Sequence, residues 1–163
     1  MTDVFDTAKR SEVMSRIRGK GNKTTELALV AAFRKAGIKG WRRHLPCRVK
    51  GKSMPLSSLV DRPADLVIKP DFVFRLQRIA VFVDGCFWHQ CPLHSKVPET
   101  NREFWEQKLR RNVERDAEAN KALKAAAWTV FRIWEHDMRD VRRLSRVIAR
   151  VRKRWLAAAK SAD

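Results

Sequence analysis

The stretch VFVDGCFWHQCPLH, residues 81–94, decides how the rest of the chain is interpreted. A run of apolar residues ends at Asp84, and two cysteines, two histidines, a phenylalanine and a tryptophan then fall within nine positions. The apolar run predicts a strand that is buried on both faces of a sheet. The cluster that follows it consists of metal-ligating and acid–base residue types, so the end of this strand is where a functional site is expected.

Size and charge narrow the class of protein. The chain has 163 residues, enough for one domain with a sizeable core, and 44% of them are hydrophobic. Lys and Arg number 36 against 18 acidic residues, which gives a net charge of +18. Such a charge opposes compaction unless the working partner is a polyanion. Nucleic acid is the first candidate, because phosphate neutralisation supplies most non-specific affinity. An anionic membrane surface is the alternative.

The sequence also indicates the cellular compartment of the protein. No segment approaches the roughly 18 apolar residues that span a bilayer. The polar start of the chain, MTDVFDTAKRSEVM, lacks the apolar core of a signal peptide. The chain has three cysteines, and two of them cluster with histidines, which favours metal binding over disulfides. We therefore expect a cytoplasmic protein.

The order of predicted elements indicates an α/β fold. Helical apolar spacing and capping residues predict helices over 8–18, from about 25 to 36, from Asn101 to about 127, and from about 136 to 160. Strands are predicted near 40–44 and over 65–68, 71–74, 78–84 and 128–134. RGKGNKTT, residues 18–25, is predicted to be a basic loop, and residues 47–62 a surface excursion. The order predicts a single domain with one mixed sheet flanked by helices.

The last predicted helix is amphipathic and very basic. Five residues give it an apolar stripe: Val141, Leu144, Val147, Ile148 and Val151. Its other side carries six basic residues: Arg142, Arg143, Arg146, Arg150, Lys153 and Arg154. We expect residues 141–163 to pack on, or extend, the domain formed by residues 1–140. The basic side either adds affinity for DNA or is a solvated face.

Cysteine and histidine spacing predicts a metal site. Four residues separate Cys86 from Cys91, and two separate Cys91 from His94, which lets the three side chains reach one tetrahedral ion. The fourth ligand is either His136, which follows a predicted strand, or His89. The alternative is a pair of buried free cysteines with two surface histidines. A closed set of four ligands would leave no position for water, so we expect a structural ion.

Two acids can hold a second metal. Asp71 begins one predicted strand and Asp84 ends the next, so both carboxylates reach one sheet edge if these strands are neighbours. Hard oxygen ligands of this kind suit Mg2+ and phosphodiester hydrolysis. The alternative is a Pro-Asp turn and an ordinary strand end. The unperturbed pKa of a histidine, roughly 6.5, suits proton transfer near neutral pH. If His89 is not a metal ligand, it is therefore a candidate general base. Otherwise it contacts phosphate or packs beside Trp88.

Phe87 and Trp88 are adjacent aromatic residues beside this histidine. They either belong to the core or lie on a loop, where apolar side chains can wedge between bases and bend DNA. The residues alone leave both interpretations open.

Several motifs together resemble one family. The segments PDFVF, AVFVDGCFWHQCPLH, NREFWEQKLRRNVERD and WTVFRIWEHD, with the opening DVFDTAKRSEVMSRIRGKGNKTTE, closely resemble the very short patch repair endonucleases, the Vsr family. The resemblance covers about residues 3–140, and DGCFWH and NVERD are its most specific motifs. It implies the PD-(D/E)xK nuclease fold and enzymes that nick DNA beside a T·G mismatch, which arises when 5-methylcytosine deaminates. It also implies duplex DNA and mismatch-repair proteins as partners, and a monomer suits the asymmetric mismatch.

The resemblance implies a role for each site residue. Asp71 would be the main Mg2+ ligand, with a second contact from the backbone carbonyl of Val83 and from Asp84. His89 would be the general base, and Glu26 would support the site. Four residues would bind zinc: Cys86, Cys91, His94 and His136. Phe87 and Trp88 would intercalate next to the mismatch. The N-terminal arm and helix, residues 1–20, would reach the minor groove, and three basic residues would contact DNA: Arg18, Lys20 and Lys23.

The chain departs from the family pattern at several positions. The best-known members carry Thr at the position of Val83 and His at that of Asp84, so Asp84 here can take the metal directly. The zinc ligands also differ in type and spacing, and residues 45–70 are longer than usual. RPAD, which ends at Asp65, mimics the Pro-Asp motif, but Asp71 lies at the family's distance from Cys86. Two alternatives remain: a nuclease of broader or defence-related specificity, and an inactive DNA-binding module. The presence of Asp71 and His89 argues against the inactive module.

Overall fold

The structure of the protein is a computed structural model that describes residues 25–49 and 66–160. Within these ranges the helices, in chain order, are α1 (Glu26–Lys35), α2 (Arg102–Ala125), α3 (Glu135–Arg139) and α4 (Val141–Lys160). The strands are β1 (Trp41–Arg43), β2 (Cys47–Val49), β3 (Leu66–Ile68), β4 (Phe72–Phe74), β5 (Ile79–Asp84) and β6 (Thr129–Trp134). The predicted helix over 8–18, nearly all of the loop over 18–25 and residues 50–62 of the excursion lie outside the described residues.

Four strands form the central sheet in the order β1-β4-β5-β6. β4 pairs antiparallel with both β1 and β5, whereas β5 and β6 are parallel. The predicted α/β fold with a mixed central sheet is therefore confirmed. Since Phe72 lies opposite Val81, Asp71 just before β4 lies near the carboxyl end of β5. The two strands that carry the predicted acids are thus neighbours.

A second, two-stranded sheet pairs β2 with β3, with Cys47 opposite Ile68. The prediction of a surface excursion was therefore wrong for residues 47–49. Cys47 and Val49 are buried and Arg48 between them is exposed. This alternation is that of a strand, but three residues beside Pro and Gly are too few for a sequence pattern to reveal it.

Helices cover both faces of the central sheet. The core on the first face joins residues of α1, the sheet and α4, including Phe33, Phe72, Phe74, Ile79 and Val151. The core on the second face joins residues of the small sheet, the central sheet and α2, including Cys47, Ile68, Val73, Ala80 and Leu123. The side chains of β4 and β5 alternate between these two cores, which confirms that β5 is covered on both faces. The candidate site lies at the sheet edge where β5 ends and β4 begins, between the layers that cover the two faces of the sheet.

The amphipathic pattern of the two long helices is confirmed only in part. On α2, Trp105 and Leu109 are buried, whereas Phe104 is 56% exposed. On α4, Val147 and Val151 are buried, as expected, but Val141 at its first position is exposed. The carboxylate of Asp140 accepts hydrogen bonds from the backbone N–H groups of Arg142 and Arg143 in the first turn of α4, and these bonds lower the pKa of Asp140. Among the described residues, no helix is long and apolar enough to cross a membrane.

Candidate active site and metal cluster

An open cavity of about 830 Å³ lies at the sheet edge between the two layers. Its polar lining comes from α1, the turn before β4, the end of β5, the segment after it, α2 and β6. The charged and titratable side chains of this lining include Glu26, Asp71, Asp84, His89, Asp116 and Arg132. The structure thus brings together the four residues that the sequence analysis named as catalytic, and adds Asp116 and Arg132.

Asp71 is fixed by the neighbouring strand. Its Oδ2 accepts a hydrogen bond of 2.7 Å from the backbone N–H of Val83. Burial raises the pKa of Asp71; the bond from Val83 and the proximity of His44 oppose this shift, whereas Glu26 and Asp84 add to it. A carboxylate in such surroundings is stabilised by a bound cation.

The other acids at this edge already have arginine partners. The carboxylate of Glu26 is bonded to Arg43, and Asp84 and Asp116 share Arg132. In the described part of the chain, Asp71 is the one of these four acids without an Arg or Lys ion pair. It is therefore the acid best suited to receive a metal ion.

Asp84 is the most deeply buried acid of the site, at 2% exposure. Arg132 donates to both of its oxygens, from Nε at 2.6 Å and from a terminal nitrogen at 2.7 Å. The guanidinium also lies over the Phe82 ring, 4.8 Å from its centroid. Burial would lower the pKa of Arg132, but Asp84 and Asp116 outweigh it and raise that pKa. Asp84 thus reaches the predicted edge, but Arg132 already uses both of its oxygens.

His89 is paired with an acid that the sequence analysis did not assign. Its Nδ1 lies 2.5 Å from Oδ2 of Asp116 on α2, and 3.9 Å from Asp84. Burial alone would raise the pKa of Asp116, but the bond to His89 and the charge of Arg132 lower it, so Asp116 is ionised. An ionised carboxylate at Nδ1 holds that nitrogen as the donor and leaves Nε2 as the proton acceptor. The pair can therefore take up a proton at Nε2.

The signal for Asp116 was present in the sequence. It is the last residue of NVERD, a motif quoted above without a structural role. Asn112, the first residue of the motif, donates to the backbone carbonyl of Trp88 at 3.2 Å. One turn of α2 therefore holds the backbone before His89 and the ring of His89 itself. Asn112 and Asp116 are four residues apart on α2, so their side chains face the same segment.

The four predicted zinc ligands lie together beyond the end of β5. Each residue offers one ligand atom, and these atoms all lie within 4.8 Å of one another. His136 Nδ1 is 3.3 Å from Cys86 Sγ and 3.6 Å from Cys91 Sγ, and His94 Nδ1 is 3.6 Å from Cys91 Sγ. Of the two candidates for the fourth position, His136 is in the cluster and His89 is not. His136 lies on the short helix α3, directly after β6.

These distances fit a tetrahedral metal site. A sulfur at roughly 2.3 Å and a nitrogen at roughly 2.1 Å from a tetrahedral ion lie roughly 3.6 Å apart. Burial raises the pKa of the Cys86 thiol, and the neighbouring Cys91 adds to this shift. The far nitrogen of the His136 ring lies 3.4 Å from Asp137, a carboxylate of the kind that orients metal-binding imidazoles. The cluster can hold one metal ion with four protein ligands.

Phe87 and Trp88 belong to an aromatic cluster and are half-buried. The Phe87 ring lies 5.4 Å and the Trp88 ring 6.1 Å from that of Trp105 on α2. The ammonium group of Lys108 lies about 5.5 Å from the Trp88 and Trp105 ring centroids. Their rings thus pack against α2 and also line the open cavity. Arg18, Lys20 and Lys23, the basic residues predicted to contact DNA, lie outside the described residues.

The fold and the site define a class: an α/β protein with acids and a carboxylate–histidine pair at one sheet edge, and a separate Cys/His cluster. Residues 60–94 match the family described as DNA mismatch endonuclease Vsr. The chain is 34% identical over 147 residues to the DNA mismatch endonuclease Vsr of Escherichia coli strain K12, across 89% of this chain and 81% of that protein. The chain belongs to the Vsr family.

Two further relatives carry the name of nicking enzymes. The type II nicking enzyme V.NmeAIP of Neisseria meningitidis serogroup A is 30% identical over 159 residues, which cover 93% of this chain and 98% of that protein. The type II nicking enzyme V.NaeI of Lentzea aerocolonigenes is 56% identical over 70 residues, which cover 43% of this chain and 42% of that protein. The chain therefore spans less than half the length of this last relative.

Proposed function

We propose that this protein is a metal-dependent endonuclease that nicks one strand of duplex DNA beside a T·G mismatch. The observation that carries the proposal is the pairing of His89 with Asp116 beside Asp71, the acid without an arginine or lysine partner in the described part of the chain. A proton acceptor next to a cation site is what phosphodiester hydrolysis requires. The net charge of +18 suits a nucleic-acid substrate.

Asp71 and the backbone carbonyl of Val83 would hold Mg2+. The N–H and C=O groups of one strand residue point to the same side, and the Val83 N–H points to Asp71. The carbonyl therefore faces the same space as the carboxylate. When bound there, Mg2+ polarises the phosphoryl oxygen and lowers the pKa of an attacking water. Glu26 adds negative charge at the start of α1, and Asp84 orients Arg132 rather than serving as the main ligand.

His89 would act as the general base. Its Nε2 accepts one proton from the water as the water oxygen attacks phosphorus. The bond from phosphorus to the 3′ oxygen breaks, the 3′ oxygen is protonated from solvent, and a 5′-phosphate remains. Asp116 holds Nδ1–H of the ring and stabilises the imidazolium that forms. Arg132 keeps Asp116 ionised for this role.

We assign zinc to the Cys/His cluster. Two thiolates and two imidazoles form a closed donor set that suits structural zinc and leaves no position for a reacting water. The site would join the segment after β5 to α3 and so fix the backbone on both sides of His89. The expected stoichiometry is one zinc ion per chain, measured by elemental analysis of the purified protein.

The mismatch specificity rests on two arguments. The Escherichia coli relative is named a DNA mismatch endonuclease. Phe87 and Trp88 line the cavity beside His89, where half-buried rings can wedge into an unstacked step next to a mismatch. Arg18, Lys20 and Lys23 would neutralise phosphates of the duplex.

A strand-resolved nicking assay tests the proposal. Labelled duplexes with T·G, C·G, T·A or U·G pairs in one sequence context are incubated with and without Mg2+. We expect cutting only beside the mismatched T, only with Mg2+, and none by Asp71→Asn. Cutting of every duplex would remove the mismatch specificity and favour a nicking nuclease of broader specificity. Binding without cutting in several sequence contexts would favour an inactive DNA-binding module.

A further inference from the structure

His44 lies between two acids of the site and has no role in the reaction described above. Its Nε2 is 2.9 Å from Oε2 of Glu26, the distance of an ion pair. The alignment is nevertheless not that of a hydrogen bond, and the buried Nε2 has no hydrogen-bond partner in the described structure. A buried polar atom without a hydrogen bond requires an explanation. One explanation is an ion that binds this atom in the working protein.

The backbone holds His44 in this position. Its φ is +52°, in the left-handed region that residues other than glycine rarely adopt. Its N–H donates to the carbonyl of Asp71 at 3.1 Å. The turn after β1 is thus attached to the residue just before β4. Sparsely populated backbone conformations of this kind persist where the surrounding structure imposes them, and they concentrate at functional sites.

The spacing of the three side chains fits a shared cation. Two neighbouring ligands at roughly 2.1 Å from an octahedral ion lie roughly 3.0 Å apart, close to the 2.9 Å between Nε2 and the Glu26 oxygen. One ligand atom from each of Glu26, His44 and Asp71 falls within 4.8 Å of the others. The closest approach of the His44 Nδ1 to Asp71 is 4.0 Å, too long for a hydrogen bond.

We propose that Nε2 of His44 is a ligand of the same divalent cation as Asp71 and Glu26, and that this nitrogen makes the site prefer Mn2+ to Mg2+. The inference rests on the proposed function, because it deepens the description of its metal site. Imidazole suits transition metals, whereas Mg2+ prefers sites with oxygen ligands only. Arg43 is bonded to Oε2 of Glu26, the same oxygen that lies 2.9 Å from Nε2. A carboxylate oxygen has more than one lone pair, so Oε2 can accept the bond from Arg43 and also bind the ion.

The experiment measures metal binding without DNA. The full chain, loaded with one equivalent of zinc, is titrated with Mn2+ and separately with Mg2+ by calorimetry. Electron spin-echo spectroscopy of the bound Mn2+ then detects a directly coordinated ¹⁴N nucleus. His44→Gln places an amide oxygen near the position of Nε2. His44→Asn removes the ligand, and Asn tolerates the left-handed backbone. Asp71→Asn is the binding control, and Arg42→Gln is the matched surface control on β1. Zinc content and circular dichroism verify the fold of each variant.

We expect the ¹⁴N coupling in the wild type and in Arg42→Gln, and its loss in both His44 variants. The Mn2+ affinity should fall on the order of tenfold or more in His44→Asn, and His44→Gln should lose the preference for Mn2+ while it keeps Mg2+ binding. Bound Mn2+ that depends on Asp71 but shows no nitrogen coupling would overturn the inference, as would an unchanged affinity in His44→Asn. A wild type that binds no Mn2+ would overturn both the inference and the proposed cation site.

Nicking of the T·G duplex is measured on the same preparations. Cutting by a wild type without nitrogen coupling would overturn the role of His44 and leave the proposed function in place. Nitrogen coupling in a wild type that cuts no duplex would support the role of His44 as a ligand and overturn the proposed function. The two failures are therefore distinguishable.

Discussion

Replacement of Arg132 by Met should destabilise the protein strongly, because Arg132 is the partner of the most buried acid in the site. The Asp84 side chain is 3% exposed and that of Arg132 is 19% exposed. Two short bonds join them, at 2.6 and 2.7 Å. Removal of one member of a buried pair costs about 3–5 kcal/mol, since the other charge stays buried without compensation. The lower end of this range applies here because Arg132 is partly exposed. A loss of about 3 kcal/mol is a large fraction of a typical total stability of about 5–15 kcal/mol.

A double-mutant cycle separates the pair from its surroundings. Asp84→Asn alone should cost less than Arg132→Met, because Arg132 still pairs with Asp116 at 3.0 Å and lies near Asn120. The combined variant no longer buries an unpaired charge at position 84. It should therefore recover about 1–3 kcal/mol relative to the sum of the single changes. Urea denaturation of the four proteins, each with its zinc content verified, gives the free energies of unfolding.

The same variants test whether Asp84 or Asp71 is the main metal ligand. If Asp84 mainly orients Arg132, Asp84→Asn should keep its affinity for Mn2+, whereas Asp71→Asn should lose it. A coupling energy near zero, together with loss of Mn2+ binding in Asp84→Asn as complete as in Asp71→Asn, would refute the reasoning. Asp84 would then be a ligand and Arg132 an incidental neighbour.

Three further predictions concern the reaction and the Cys/His cluster. Asp71→Asn should abolish nicking while DNA affinity in a gel-shift assay stays within about twofold, and retained cleavage would contradict the metal assignment. Asp116→Asn should slow single-turnover nicking by roughly 10²–10⁴-fold, the range of a general base, because it leaves His89 without an oriented tautomer; unchanged nicking would remove His89 from the base role. His136→Ala should lower zinc content and thermal stability together, and a normal zinc content would show that the fourth ligand lies elsewhere.

The pKa of Asp116 gives a stability prediction with a defined sign. This pKa is lowered in the folded state, so the pairing with His89 and Arg132 stabilises the protein above the ordinary Asp pKa of about 3.9. The stabilisation is lost as the pH falls through the lower, folded-state pKa. The free energy of unfolding is measured by urea denaturation from about pH 5 down to about pH 2. It should fall more steeply for the wild type than for Asp116→Asn. Parallel curves would contradict the pairing.

The sequence was sufficient to predict the helices and strands that have long apolar patterns. β5 and β6 are apolar strands of six residues, and α2 extends over 24 residues, so their patterns are long enough to be unambiguous. β2 has three residues, too few to give a pattern. The helix predicted from about 136 to 160 is divided at Asp140 into α3 and α4. Val141 fits the apolar stripe of the last predicted helix but is exposed, because the stripe extends beyond the surface that the sheet covers.

The sequence predicts a site residue only where a side chain of suitable chemistry also lies next to a predicted strand. Asp71 and Asp84 were named because they flank adjacent strands, and His136 because it follows a strand. Their different roles depend on Arg132 and Val83, whose contacts cross the sheet and leave no local signal. A carboxylate bonded to an arginine and one bonded to a backbone N–H look alike in a sequence. The partners of a charged side chain, and not its position in a strand, determine whether it can receive a metal.

The Cys/His cluster and the proposed base, His89, are joined by a short segment of chain. Cys86 lies three residues before His89 and Cys91 two residues after it. The N–H of Cys91 donates to the carbonyl of Cys86 at 2.9 Å, which closes the segment into a turn. An ion held by both sulfurs would therefore fix both ends of the backbone that carries His89, while Asp116 fixes its ring from α2. A small displacement of a base costs much of its rate because proton transfer requires hydrogen-bond geometry. A structural ion beyond the strand end can thus affect the reaction without contacting the substrate.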